Sequence, residues 1–177
     1  MKRFWLPALL IAGVLWLGGC KESASVEQPV STPEIDPEYG HLLHAQAKLP
    51  TLKVWLGNEE LTAEVASKQV EIATGMMYRT NMLENEAMLF VFPDAQPRSF
   101  YMRNCIVPLS AAYIDPSGVI LQEIDMQPHN ETPIPSDSND VQFVLEVRQG
   151  WFQRHNVKTG MVVRTERGSL LDTFFPK

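Results

Sequence analysis

Cysteine is nearly absent from this sequence. Cys20 and Cys105 are the only two among 177 residues, too few for a disulfide framework. Long apolar runs are scarce as well. Phe4 to Leu17 is an uncharged stretch, but it is shorter than the roughly 20 residues that span a bilayer. Basic charge is in deficit, with 15 Lys and Arg against 21 Asp and Glu and a net charge of −6. Such a balance makes a poor partner for nucleic acid, or for anionic headgroups through a basic patch. There is no G-x-S-x-G, no H-E-x-x-H, no glycine-rich phosphate loop and no internal repeat. The motif-borne signs of an α/β-hydrolase, a zincin or a P-loop enzyme are therefore missing.

What is there begins at the amino terminus. Lys2 and Arg3 precede the apolar run, and Leu17-Gly18-Gly19-Cys20 closes it. A positive n-region, a short h-region and small residues before a cysteine are, in that order, the pattern of a lipoprotein signal peptide. Residues 1–19 are expected to be removed and Cys20 acylated. More than one acyl chain makes a stable anchor, so the membrane is the first expected partner. Cleavage would remove Lys2 and Arg3 and no acid, which takes the net charge from −6 to −8. Lys21 follows the cysteine; in a Gram-negative cell the absence of Asp there points to the outer membrane, facing the periplasm.

Residues 20–50 are rich in Ser, Glu, Pro and Gln and read as a flexible linker without a core of its own. His41 and His44 stand at i, i+3 spacing, as on a short solvated helix, and two His alone do not complete a zinc site. Residues 51–177 read as a single globular domain, long enough to bury a core without disulfides. LKVWLG and ELTAEVA alternate apolar and polar residues around Gly57-Asn58, as a β-hairpin does. Ser67 is the expected N-cap of a helix over Lys68 to Tyr78. Strands are expected at Met88–Phe92, Ser99–Cys105, Ala111–Asp115, Val119–Met126, Val141–Val147 and Met161–Glu166, with a short helix at Trp151–Val157. Residues 127–140 form a long polar loop. The expected fold is α+β, a mostly antiparallel compact sheet or small partly closed barrel with one or two short helices.

Several separated stretches occur in a telling order: GMMYRT (75–80), AMLFVFPDAQPRSFYMRNCIVPLSAAYID (87–115), PIPS (133–136), FVLEVRQG (143–150) and VKTGMVV (157–163). Together they resemble the domain of unknown function 192 family of small bacterial and archaeal proteins, from about Leu52 to about Arg167. Met102, Asn104, Pro108 and Leu109 match the family's central pattern, and Arg103 stands for its Lys. Cys105 replaces a usual Thr and Ser110 a usual Asp. The resemblance implies a compact, often exported β-rich fold and no established reaction.

The candidate site residues come from the stretch around Cys105. On a strand, Met102, Asn104 and Ile106 would share one face, and Arg103 and Cys105 the other. Asn104 is then either a buried amide tying two loops together or a reader of a polar ligand. Arg103 either pairs with Asp115, Glu123 or Glu146, or meets an anionic ligand. Arg79 and Arg98 are further candidates, and Arg79 either complements the end of its helix or joins the site. Arg79, Met102, Arg103 and Asn104 are the ligand-binding candidates. Cys105 is either a buried small hydrophobe or a thiolate supported by Arg103. Cys105, Asp125 and His129 are the catalytic candidates; no metal site and no cofactor is expected. The leading expectation is an envelope lipoprotein that binds a small molecule or protein partner, not nucleic acid. The alternatives are an envelope hydrolase or metal-dependent enzyme using the 125–131 region, and a structural lipoprotein. Between enzyme and binder, the balance falls against an enzyme.

Overall fold

Central strands buried at successive positions build a sheet that is covered on both sides. In the computed structural model, which describes Met1 and residues 34–176, ten strands and three short helices follow one another. They are β1 (Thr51–Leu56), β2 (Glu59–Ala66), α1 (Gln69–Thr74), β3 (Glu86–Gln96), β4 (Ser99–Phe100), β5 (Leu109–Ile114) and β6 (Ile120–Met126). Then come β7 (Ile134–Pro135), β8 (Val141–Arg148), α2 (Trp151–Arg154), β9 (Val163–Thr165), β10 (Gly168–Ser169) and α3 (Leu170–Phe174). The expected lipobox, Leu17 to Cys20, lies outside the described residues.

Eight strands form one sheet in the order β10-β9-β1-β2-β3-β8-β5-β6, and β4 pairs with β7 apart from it. Every pairing is antiparallel except β2 with β3, which are joined through α1 as a parallel pair requires. The α+β expectation of a mostly antiparallel sheet holds. The sheet is open rather than a barrel, with β10 and β6 at its edges. Hydrogen bonds from Ile120 N–H to the Met161 carbonyl and from Val163 N–H to the Gly118 carbonyl bring the start of β6 beside the segment entering β9, without closing the ring.

Two cores flank the sheet because β3, β5 and β8 are apolar at nearly every position, not at alternate ones. Leu89, Val91, Ile114, Phe143, Leu145 and Trp151 pack on one face. Met88, Phe90, Tyr113 and Val144 pack on the other with Met76, Met77, Met82, Met102, Cys105 and Met126. Six methionines in one core make a deformable, polarizable wall.

Local chemistry departs from expectation in three places. Helix α1 starts at Gln69 with Lys68, not Ser67, as its N-cap, and the Glu71 carboxylate reaches back to accept from the Ser67 and Lys68 N–H groups just ahead of it. It stops at Thr74, because Gly75 turns the chain at φ 46° and any Cβ there would meet the Phe90 ring at 3.2 Å. Residues 99–105 are not one strand. Only Ser99–Phe100 is extended; the chain then turns, and Asn104 sits at φ 55°. Asn is among the few side chains that tolerate this left-handed region. Residues 41–44 form no helix, and Ile35 bridges to Leu42 instead.

Part of the expected tether is engaged with the domain. Leu42 N–H donates to Thr74 Oγ1, Gln46 Nε2 donates to the Glu71 and Gly75 carbonyls, and Leu49 N–H donates to Glu64 Oε2. Gln46 is buried; it adds a second donor to the Glu71 carbonyl, which already accepts the Gly75 N–H, and meets the Gly75 carbonyl at the helix end.

Candidate functional site

Strand β8 carries an acid in the middle of an apolar run, VQFVLEVR. Period two places Val144 and Glu146 on the methionine-rich face. Across the ladders Glu146 stands opposite Met88 of β3 and Ala111 of β5, neither of which can pair with it. The residue is 4% exposed, and its Oε2 has no hydrogen-bond partner. Burial pushes its carboxyl up to about 8, which favours the neutral acid near neutral pH.

This acid lines a cleft of about 350 Å³. That is the small end of the usual range for ligand pockets. One wall is the end of α1 and the GMMYRT turn, from Ile72 to Met77. Phe90 and Phe92 of β3 form another, and Pro97 to Tyr101, spanning β4, form the rim. Phe100 meets Phe90 and Tyr113 edge-on, with centroids 5.0 and 6.0 Å apart, which fixes the ring planes around the opening. Arg98 lies at the rim with its guanidinium over Phe92, bonded to Asp94 and to the Asp94 and Val141 carbonyls.

Of the four ligand-binding and three catalytic candidates, Cys105 alone lines the cleft. Its thiol is pushed up to about 12, first by burial and then by Glu146. Arg103 does not lower it. The turn at 102–105 sends the two side chains apart, and Arg103 binds Glu131 at 2.7 Å while covering the Tyr39 ring at 3.6 Å. The face-sharing expected for Met102, Asn104 and Ile106 fails for the same reason, since Met102 is 1% exposed and Ile106 46%. Met102 is core. Asn104 ties two loops: its Nδ2 donates to Tyr78 Oη, and its carbonyl accepts from Tyr78 N–H, both at 2.8 Å. Arg79 forks onto both oxygens of Glu64, at 2.6 and 2.8 Å. Asp125 faces Ser110 across β5 and β6 and accepts from its hydroxyl. His129 is exposed, and its backbone N–H donates to the Cys105 carbonyl. Asp125 and Glu131 thus turn to different partners, and the 125–131 region holds no acid-base pair among these contacts.

Glu146 is the residue that sequence reading passed over, considered only as a partner for Arg103. The signal was available: one carboxylate at an inward position of a strand otherwise filled by Val, Phe and Leu.

The comparisons agree with this architecture. The model of the family DUF192, described as Uncharacterized ACR, matches residues 53–165, well over half of the chain. A crystal structure of a candidate transcription regulator from Sinorhizobium meliloti 1021 is similar at 28% identity and a TM-score of 0.65, covering 68% of this chain and 98% of that one. A protein of unknown function from Novosphingobium aromaticivorans DSM 12444 is similar at 26% identity and a TM-score of 0.62, covering 76% of this chain and 94% of its own. No curated protein matches. With its motifs, its sheet and this match, the chain belongs to the domain of unknown function 192 family.

Proposed function

We propose that this protein is a cell-envelope lipoprotein, anchored through acylated Cys20, whose domain binds a small molecule in the cleft above Glu146. The observation that carries the binding half is a buried carboxyl, with no partner for its Oε2, lining an aromatic and methionine-walled opening. A lone buried acid costs stability unless something answers it, and a ligand is the simplest answer. The anchoring half is supported by the order of charge, apolar run and LGGC in residues 1–20. The regulator description stays with the Sinorhizobium protein, since the acid excess here opposes binding to a phosphate backbone.

Two measurements test the two halves. Cys20→Ser should leave the protein out of the membrane fraction; retention there would refute the anchor. Ala73→Phe should fill the cleft from α1. Native mass spectrometry of protein from its own envelope should find a small molecule on the unaltered chain and none on this variant. A bare mass for both would remove the binding reading.

A further inference from the structure

Glu146 faces a set of neighbours that can neither neutralise it nor donate a strong hydrogen bond to its free oxygen. Met88 and Ala111 flank it on the adjoining strands. Cys105 and Tyr113 are the titratable groups that sense its charge, and both are held protonated, each pushed up to about 12 chiefly by burial. The Tyr113 hydroxyl is already spent on the Ile134 carbonyl. On β2, one strand beyond Met88, Glu64 is closed off by Arg79. At the rim, Arg98 is committed to Asp94 and two carbonyls; Arg103, outside the lining, is committed to Glu131. Each arginine near the cleft is therefore engaged with an acid, and positive charge for Glu146 has to come from outside.

Three features narrow what brings it. Among the described residues no group of three His, Cys, Asp or Glu could hold a metal ion, so one carboxylate with thioethers is a poor seat for a divalent cation. Phe90, Phe92, Phe100 and Tyr101 surround the opening, and aromatic faces attract organic cations. The chain's net charge of −6 raises the local concentration of cations over anions.

We infer that the cleft takes an organic ammonium ion with an apolar stem, its nitrogen on the Glu146 carboxylate and its stem against Met76, Met77, Phe90 and Phe92. This deepens the small-molecule reading of the cleft and rests on it. On binding, the carboxyl proton passes to solvent and the carboxylate keeps its electron pair for the N–H donor. Amine affinity therefore falls as pH drops below about 8, where the neutral carboxyl is favoured.

Calorimetry on the detergent-solubilised full-length protein tests this with 2-phenylethylamine and hexylamine against 2-phenylethanol and hexanol. At pH 8.5 the amines should bind at least tenfold more tightly than their alcohols. At pH 7, titrations in two buffers of different ionisation enthalpy should reveal a released proton. The gap should shrink toward pH 6 and vanish in Glu146→Gln, which keeps the shape and removes the charge. Should that variant fail to fold, the pH profile of the unaltered chain still decides. Alcohols binding as well as amines, or an amine affinity that ignores pH, would overturn the ammonium assignment and leave the cleft reading standing. No binding by either class would overturn both.

Discussion

Glu64 and Glu146 lie in one row across the sheet, on either side of Met88, and their surroundings are opposite. They are two strand spacings apart, roughly 10 Å. Both are buried. Burial alone would raise Glu64, but the Arg79 fork and the Leu49 N–H outweigh it and hold the carboxyl below its ordinary value. Glu146 has burial and nothing to oppose it. The same side chain on the same face is thus a structural ion pair in one place and an open valence in the other. Glu64 is held by groups from two loops, whereas the loops over Glu146 stand back and leave a cleft.

Breaking the first arrangement should have the largest effect. Arg79→Ala strands the Glu64 charge, and urea denaturation should show a loss of roughly 3–5 kcal/mol. A smaller loss would mean that water reaches Glu64. Glu146→Gln should act in the other direction. Its folded-state pKa lies above the unfolded value, so the native state holds its proton longer. Stability is fullest below about 4.5 and falls as pH rises through about 8. The variant lacks that decline. It should gain on the order of a few kcal/mol at pH 9 and almost nothing at pH 4, as read from melts across pH. A parallel pH dependence in both proteins would show that Glu146 is already paired.

A neutral contact sharpens the comparison. Asn104→Gly keeps the left-handed turn and loses the bond to Tyr78, a cost of about 1 kcal/mol. Asn104→Ala adds the backbone strain and should cost about 1 kcal/mol more. Equal losses would separate the bond from the turn. Cys105 gives the smallest effect, a rate with no change in stability. Its raised thiol should react with maleimide at pH 7.5 more than a hundredfold slower than free cysteine.

The hairpin of β1 and β2 was legible, because alternation and Gly57-Asn58 point the same way. The strands β3, β5 and β8 were legible as apolar runs. The turn at Asn104 was not. FYMRNCI is apolar enough to pass for a strand, and the left-handed Asn is stabilised by Tyr78, 26 residues away. Nor was the docking of residues 42–49, which follow a stretch rich in Ser, Glu and Pro and are held by a few specific long-range bonds from Leu42, Gln46 and Leu49. The chemistry around Cys105 drew attention to the wrong neighbours. Arg103 is nearer in sequence than Glu146, but the chain's turn decides which of them shares the thiol's surroundings.

An open sheet also bears on self-association. Strand β6 leaves one side unpaired along its middle, where a second chain could add edge to edge. Its first residues are covered by the segment entering β9, Gln122 is occupied by the Asp137 amide, and Glu123 and Asp125 put two negative charges along the remainder. Two such margins would repel each other, which disfavours edge-to-edge pairing of copies through β6.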